Sequence, residues 1–245
     1  MWQPCVEQLS GYHCLVPDLP EHGRSHQVQP FSIEGSAASI AEVIRRQAHG
    51  GVAHVVGLSE GAQVAVALLS QAPDVVRSAF ISSASLRPIP GTGLLTPAVL
   101  AATYYSTIAP FKKWDAWIRL NMKYAAGVPD AYFAPFKQEF QSLSKDGWVH
   151  LMRANLSFRL PPGLQRAKAP VLVVVGSKEY AAMQQSARDL AQALPHAKAY
   201  RISLGHGASL AQEHNWALSD PALFARSVRA WIEGQPLPPA LSALT

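Results

Sequence analysis

Five residues, Gly57-Leu58-Ser59-Glu60-Gly61, constrain this chain more than any other stretch. Before them stands Val52-Ala53-His54-Val55-Val56, a β-branched run of strand type. After them Val64, Leu68 and the intervening alanines repeat at helical spacing as far as Pro73. A serine on so sharp a strand-to-helix turn takes strained backbone angles, so its neighbours two residues away must be small. The turn lifts the hydroxyl above the sheet. The helix N-terminus, with the Glu60 N–H, then faces the place where an oxyanion would form. A dinucleotide-binding reading fails, because Gly-x-Gly-x-x-Gly follows none of the strand-like runs.

The rest of the chain supplies more of the same alternation. Tyr12 to Asp18 is expected as a buried strand entering a turn-rich loop, Leu19 to Ser25. Ile40, Val43 and Ile44 recur at helical spacing. Strands are expected at Val75–Ser82, Val171–Val175 and Ala199–Leu204, and a closing amphipathic helix at Leu223–Trp231. Strands alternating with helices give an α/β fold with a mostly parallel central sheet flanked by helices on both faces. Residues 1–85 and 169–233 form the two parts of this core. Between them, residues 86–168 hold most of the aromatics and show helical spacing at Trp114, Trp117, Ile118 and Met122. A segment of about eighty residues exceeds a simple crossover and is expected as a helical cap over one sheet edge. Its aromatics are mostly cap core, with a few facing the cleft. Residues 234–245, with Pro236, Pro238 and Pro239, are expected as a loosely attached tail.

Composition removes several function classes. With 245 residues, 49% hydrophobic and 15% charged, the chain can bury a full core and is not disordered. The net charge of +5 comes from scattered basic residues; pairs such as Arg45-Arg46 and Lys112-Lys113 are too sparse for a nucleic-acid-binding strip. Cys5 and Cys14 cannot make a disulfide framework or a four-ligand zinc site, and read as small buried hydrophobes. His22 and His26 sit four apart on a turn-rich loop, with nothing nearby to complete a metal site. No cofactor or metal is implied. No stretch is long and apolar enough to span a bilayer, and the first residues lack the pattern of a signal peptide, so a cytoplasmic location without membrane partners is expected.

The serine turn, the segment Val16-Pro17-Asp18-Leu19-Pro20-Glu21-His22-Gly23-Arg24-Ser25 and the position of the cap together make the chain resemble the α/β-hydrolase family, in particular its esterase- and lipase-like serine hydrolases. In that family the order of catalytic residues is serine, acid, histidine. The resemblance implies Ser59 as nucleophile and the Glu60 N–H as half of the oxyanion hole. It implies Glu179, in Gly176-Ser177-Lys178-Glu179 after the Val171 strand, as the acid. The other position where an acid could stand, after the Val75 strand, holds Ser83, Ala84 and Ser85 and offers no carboxylate. A solvated glutamate at a helix start is the plainer reading of Glu179. For the base, His214 has the family's spacing to Pro221 and the closing helix, whereas His206 follows the last core strand directly. His214 is preferred, with His206 as the alternative.

The same resemblance implies what is missing. Met1 to Leu9 resembles the helix just after the family's oxyanion loop, so the first three strands and that loop are expected to be absent, by a start set too late or by degeneration. The third of those strands would lie between the Tyr12 and Val52 segments. The implied function is hydrolysis of a small carboxylic ester or related acyl substrate. The alternative is an impaired or non-catalytic relative that binds a small apolar ligand or a protein partner. The two differ in whether Ser59 is needed for turnover.

Overall fold

The computed structural model describes residues 1–87 and 91–244. The sheet has five strands in chain order: β1 (Ala53–Leu58), β2 (Val76–Ser82), β3 (Val171–Gly176), β4 (Ala197–Ile202) and β5 (Leu241–Ala243). The first four are parallel, and β5 runs antiparallel to β4. Helices cover both faces. On one side lie α2 (Ile33–Gln47), α3 (Glu60–Gln71) and α8 (Ala181–Ala193), sharing a core with Ala79, Ile81, Val171, Val173 and Val175. On the other lie α1 (Gln3–Gln8), α10 (Trp216–Ser219) and α11 (Pro221–Glu233), packed on Leu58, Phe80, Leu172 and Val174. Alternate residues of one strand thus feed opposite cores, which is why β2 and β3 read as near-continuous hydrophobic runs.

Between β2 and β3 the chain forms α4 (Pro97–Thr103), α5 (Asp115–Leu120), α6 (Phe133–Ser142) and α7 (Lys145–Ser157). The helical spacing at Trp114–Met122 is realised as α5 followed by a wide π turn at Asn121–Ala125. Arg119 lies over the Phe133 ring at 3.7 Å, and Trp148 Nε1 donates to Thr103 Oγ1 at 3.0 Å, so aromatics tie these helices together.

Three expectations need correction. Tyr12–Asp18 is no strand: these residues are irregular and several are exposed, because no described strand lies beside them to complete a ladder. Cys14 in this segment is only half-buried, whereas Cys5 is buried and its Sγ donates to the Ala217 carbonyl at 3.1 Å. Burial pushes the Cys5 thiol up to about 11. The tail is not loose at its end, since Leu241 is buried and pairs with Ile202 through β5. Gly234, left-handed at φ 66°, ends α11, and after the proline-bearing stretch that follows a three-residue strand finds the β4 edge.

No helix among the described residues is long and apolar enough to cross a membrane.

Candidate active site

β1 ends at Leu58 and α3 begins at Glu60, leaving Ser59 alone to make the turn. Its backbone lies at φ 55°, ψ −115°, a conformation an L-residue adopts at a cost of about 1–3 kcal/mol. The turn is held by the Ser59 N–H, which donates to the Ser82 carbonyl at 2.9 Å. The Ser59 carbonyl in turn accepts from Ala62 and Gln63, starting α3. Gly57 is required by close approach: a Cβ there would lie 2.4 Å from the Gly61 carbonyl oxygen. Gly61 is different. A Cβ on it would meet nothing within 4 Å, so the expectation that both neighbours must be small holds on one side only. The reason is that Gly61 faces a cavity rather than the packed strand.

The Ser59 hydroxyl lies 2.9 Å from His214 Nε2. The other ring nitrogen, Nδ1, lies 3.1 Å from Glu179 Oε1. Ser83 donates its hydroxyl to that same Oε1 at 2.6 Å. Glu179 is 4% exposed, whereas His214 is only partly covered. A buried acceptor behind a half-open imidazole fits the tautomer that carries its proton on Nδ1 and leaves Nε2 free to accept from Ser59. The plainer reading of Glu179, a solvated glutamate, is excluded by its burial. His206 is exposed on the loop after β4, and its contact is through the backbone, whose carbonyl accepts from Lys178 Nζ at 3.2 Å. Ser59, His214 and Glu179 therefore come together, and His206 does not join them.

Two residues that sequence reasoning passed over hold this arrangement. Glu213, next to His214, is fully buried at 0% exposure. Its carboxylate oxygens accept from Ser177 Oγ at 2.9 and 3.0 Å, from the Lys178 N–H at 2.8 Å and from the Leu204 N–H at 3.2 Å. One side chain thus bolts the loop after β3, which carries Glu179, to the residues just past β4 and to α9 (Leu210–His214). Ser82 accepts from Trp216 Nε1 at 2.9 Å, fixing the segment just beyond His214 against β2. Ser83 was noted only as a position without a carboxylate, and its role is to donate to one. No local pattern announces these contacts, since all but the Leu204 bond, nine positions away, join residues 35 or more positions apart.

Glu60 behaves differently from its backbone. Its N–H opens α3, where a helix N-terminus favours negative charge. Its side chain reaches sideways, accepting from Asn155 Nδ2 of α7 at 2.8 Å, with His22 Nε2 3.4 Å from the other oxygen. Burial pushes the Glu60 carboxyl above its ordinary value, with His22 and Asn155 pulling the other way. The loop expected at Leu19–Ser25 is therefore fastened to the serine turn. Glu21 beside it accepts from the Phe31 N–H at 2.9 Å and contacts His150 of α7 at 3.0 Å.

Comparison with known proteins places the fold in a family. A family model described as the alpha/beta hydrolase family matches residues 1–238. The chain is 29% identical over 236 residues to an AB hydrolase superfamily protein of Gibberella zeae, covering 93% of this chain and 72% of that protein. Among solved structures, MenH from S. aureus superposes with a TM-score of 0.73 at 16% identity, over 95% of this chain and 88% of its own. A thermophilic esterase from Thermogutta terrifontis superposes with a TM-score of 0.71 at 18% identity, over 95% and 84%. The two structures show a shared fold. The match over nearly the whole sequence shows more: this chain belongs to the alpha/beta hydrolase family.

Proposed function

From that membership as premise, we propose that this protein is a serine hydrolase of small carboxylic esters or related acyl substrates, working through Ser59, His214 and Glu179. The observation that carries the reading is the continuous relay from Ser59 Oγ through the two nitrogens of His214 to Glu179, at 2.9 and 3.1 Å. These are hydrogen-bond distances for a nucleophile, its base and the group that orients the base.

The steps follow from the positions of the atoms. Ser59 Oγ attacks the acyl carbon while His214 Nε2 takes its proton. Negative charge collects on the former carbonyl oxygen, and the Glu60 N–H at the start of α3 is placed to donate to it. Glu179 accepts from Nδ1 and stabilises the imidazolium. The protonated Nε2 then gives its proton to the leaving alkoxide, and an acyl group remains on Ser59. Water, deprotonated by the same nitrogen, attacks the acyl carbon and releases the acid and the free serine.

The test is turnover of a panel of p-nitrophenyl esters, from acetate to octanoate, by the wild type and by Ser59→Ala, His214→Ala and Glu179→Ala. Hydrolysis lost in all three, in proteins with an unchanged far-UV spectrum, supports the reading. Turnover that survives Ser59→Ala contradicts it. No turnover by the folded wild type favours the non-catalytic alternative, a relative that binds a ligand or a partner protein.

A further inference from the structure

Charge is divided unevenly along this chain. The helical segment between β2 and β3, residues 83–170, carries eleven Lys and Arg against four Asp and Glu, a net +7. The remainder carries ten against twelve, a net −2, so the whole-chain excess belongs to this segment alone. The segment also holds six of the ten exposed large hydrophobic side chains among the described residues. Trp114, Leu120 and Tyr124 are among them, at 54%, 49% and 69% exposure.

The two features meet on one helix. α5 runs on through the π turn at Asn121–Ala125, a rod of about 16 Å. Its inner face is Ile118 and Met122, both fully buried. On the opposite face Ala116, Leu120 and Tyr124, four apart, form an exposed apolar stripe, with Arg119 and Lys123 beside it. Trp114 extends the stripe past the start of α5, its ring stacked on Trp117 at 6.4 Å, and Lys113 stands exposed next to it. The one carboxylate of the helix, Asp115, is taken by Lys137 at 2.7 Å. Lys113 and Lys123 have no acidic partner among the described residues, and Arg119 meets only Asp130, at 3.7 Å. The far end of the helix reaches the candidate active site. Asn215 Nδ2 donates to the Ala126 carbonyl, and Gly127 abuts the Ala211 carbonyl of α9 so closely that no Cβ would fit.

We infer that this face binds the surface of an anionic lipid bilayer. Trp114, Leu120 and Tyr124 enter the headgroup level, and Lys113, Arg119 and Lys123 meet the lipid charges. An apolar protein partner would bury Lys113 and Lys123 without counter-charges. A second copy meeting the same face would bring one +7 segment against another. No helix among the described residues crosses a bilayer, but a surface helix needs only one apolar face. The expectation of no membrane partner was drawn from spanning and leader segments and does not bear on such a face. Binding does not depend on the hydrolase reading, and Ser59→Ala protein is expected to bind as the wild type does.

The test is co-sedimentation of the full chain with vesicles of phosphatidylcholine, alone or with about one-third phosphatidylserine. Saturable binding to the anionic vesicles, and much weaker binding to phosphatidylcholine alone, is expected. Each cation near such a surface multiplies affinity about fivefold, so Lys113→Gln, Arg119→Gln and Lys123→Gln together should lower it about a hundredfold. Trp114→Ser, Leu120→Ser and Tyr124→Ser together should lower it about tenfold or more. The same loss of charge on the core, by Arg46→Gln, Lys198→Gln and Arg226→Gln at exposed positions, should change it by less than about threefold. The inference is overturned if the wild type does not bind the anionic vesicles, or if the core variant loses as much affinity as the helix variant. It is also overturned if the serine variant binds as tightly as the wild type. A free protein that is a dimer, dissolved by the serine substitutions, overturns it too, since a second copy would then cover this face.

Discussion

Glu213→Ala is expected to loosen the active site from behind without touching a reacting atom. The wild-type side chain is fully buried and takes hydrogen bonds from one hydroxyl and two backbone N–H groups. Alanine takes the acceptor away from the Lys178 and Leu204 N–H groups, which lie in part-buried contacts, at up to about 1–3 kcal/mol each. Ser177 can turn its hydroxyl elsewhere and adds little. Water entering the space recovers part of the loss, so the net destabilisation should be roughly 2–4 kcal/mol. With a urea m-value of roughly 3 kcal/mol/M, the unfolding midpoint should fall by about 1 M at unchanged slope. Turnover should fall further than stability explains, because the same bonds hold the Glu179 loop against the helix that ends in His214. A loss of order tenfold or more in kcat, measured well below the midpoint, is expected. A midpoint unchanged within about 0.2 M, together with wild-type kcat, would refute the reasoning.

Other expectations follow from the same contacts. Gly57→Ala forces a Cβ into the Gly61 backbone and should cost about 1–3 kcal/mol or more, whereas Gly61→Ala, facing open space, should be neutral or stabilising by up to about 1 kcal/mol; thermal melts of the pair test the contrast. Ser83→Ala removes a donor to Glu179 Oε1 and should lower kcat by about tenfold while leaving KM near its original value, as steady-state ester kinetics would record. Glu60 titrates above its ordinary 4.5 because it is buried, so the folded state holds its proton to higher pH than the unfolded chain does. Stability from this group is therefore fullest at low pH and falls as pH rises through its folded pKa. Glu60→Gln should melt higher than the wild type at pH 7, and the difference should vanish below about pH 4.5, where both forms are neutral; an equal difference at both pH values would contradict the sign.

How much of this was legible in the sequence varied with the range of the interactions. The β1–Ser59–α3 turn was readable because strand, turn and helix are adjacent and each obeys its own local pattern. α11 was readable from its periodicity, and β4 lay only two residues earlier than expected at its start. His214 came from spacing to the closing helix rather than from any property of its own neighbourhood. Glu213 stood beside it unnoticed, because burial of a glutamate is decided by Ser177, Lys178 and Leu204, which sequence alone does not bring near. Tyr12–Asp18 failed for the opposite reason: its composition suits a strand, but a strand exists only beside a partner. β5 escaped notice because three residues in a proline-rich tail have no periodicity to read, and the β4 edge supplies what they lack.

The central claim is that Ser59 is a nucleophile activated by His214. Labelling with a fluorophosphonate, followed by intact-mass and tandem mass spectrometry, tests it most directly. One adduct per chain, located on Ser59, abolished by Ser59→Ala and slowed by a hundredfold or more by His214→Ala, on the order expected for loss of a catalytic base, is the predicted result. A folded protein that leaves Ser59 unlabelled, or that labels it as fast without His214, would contradict the account.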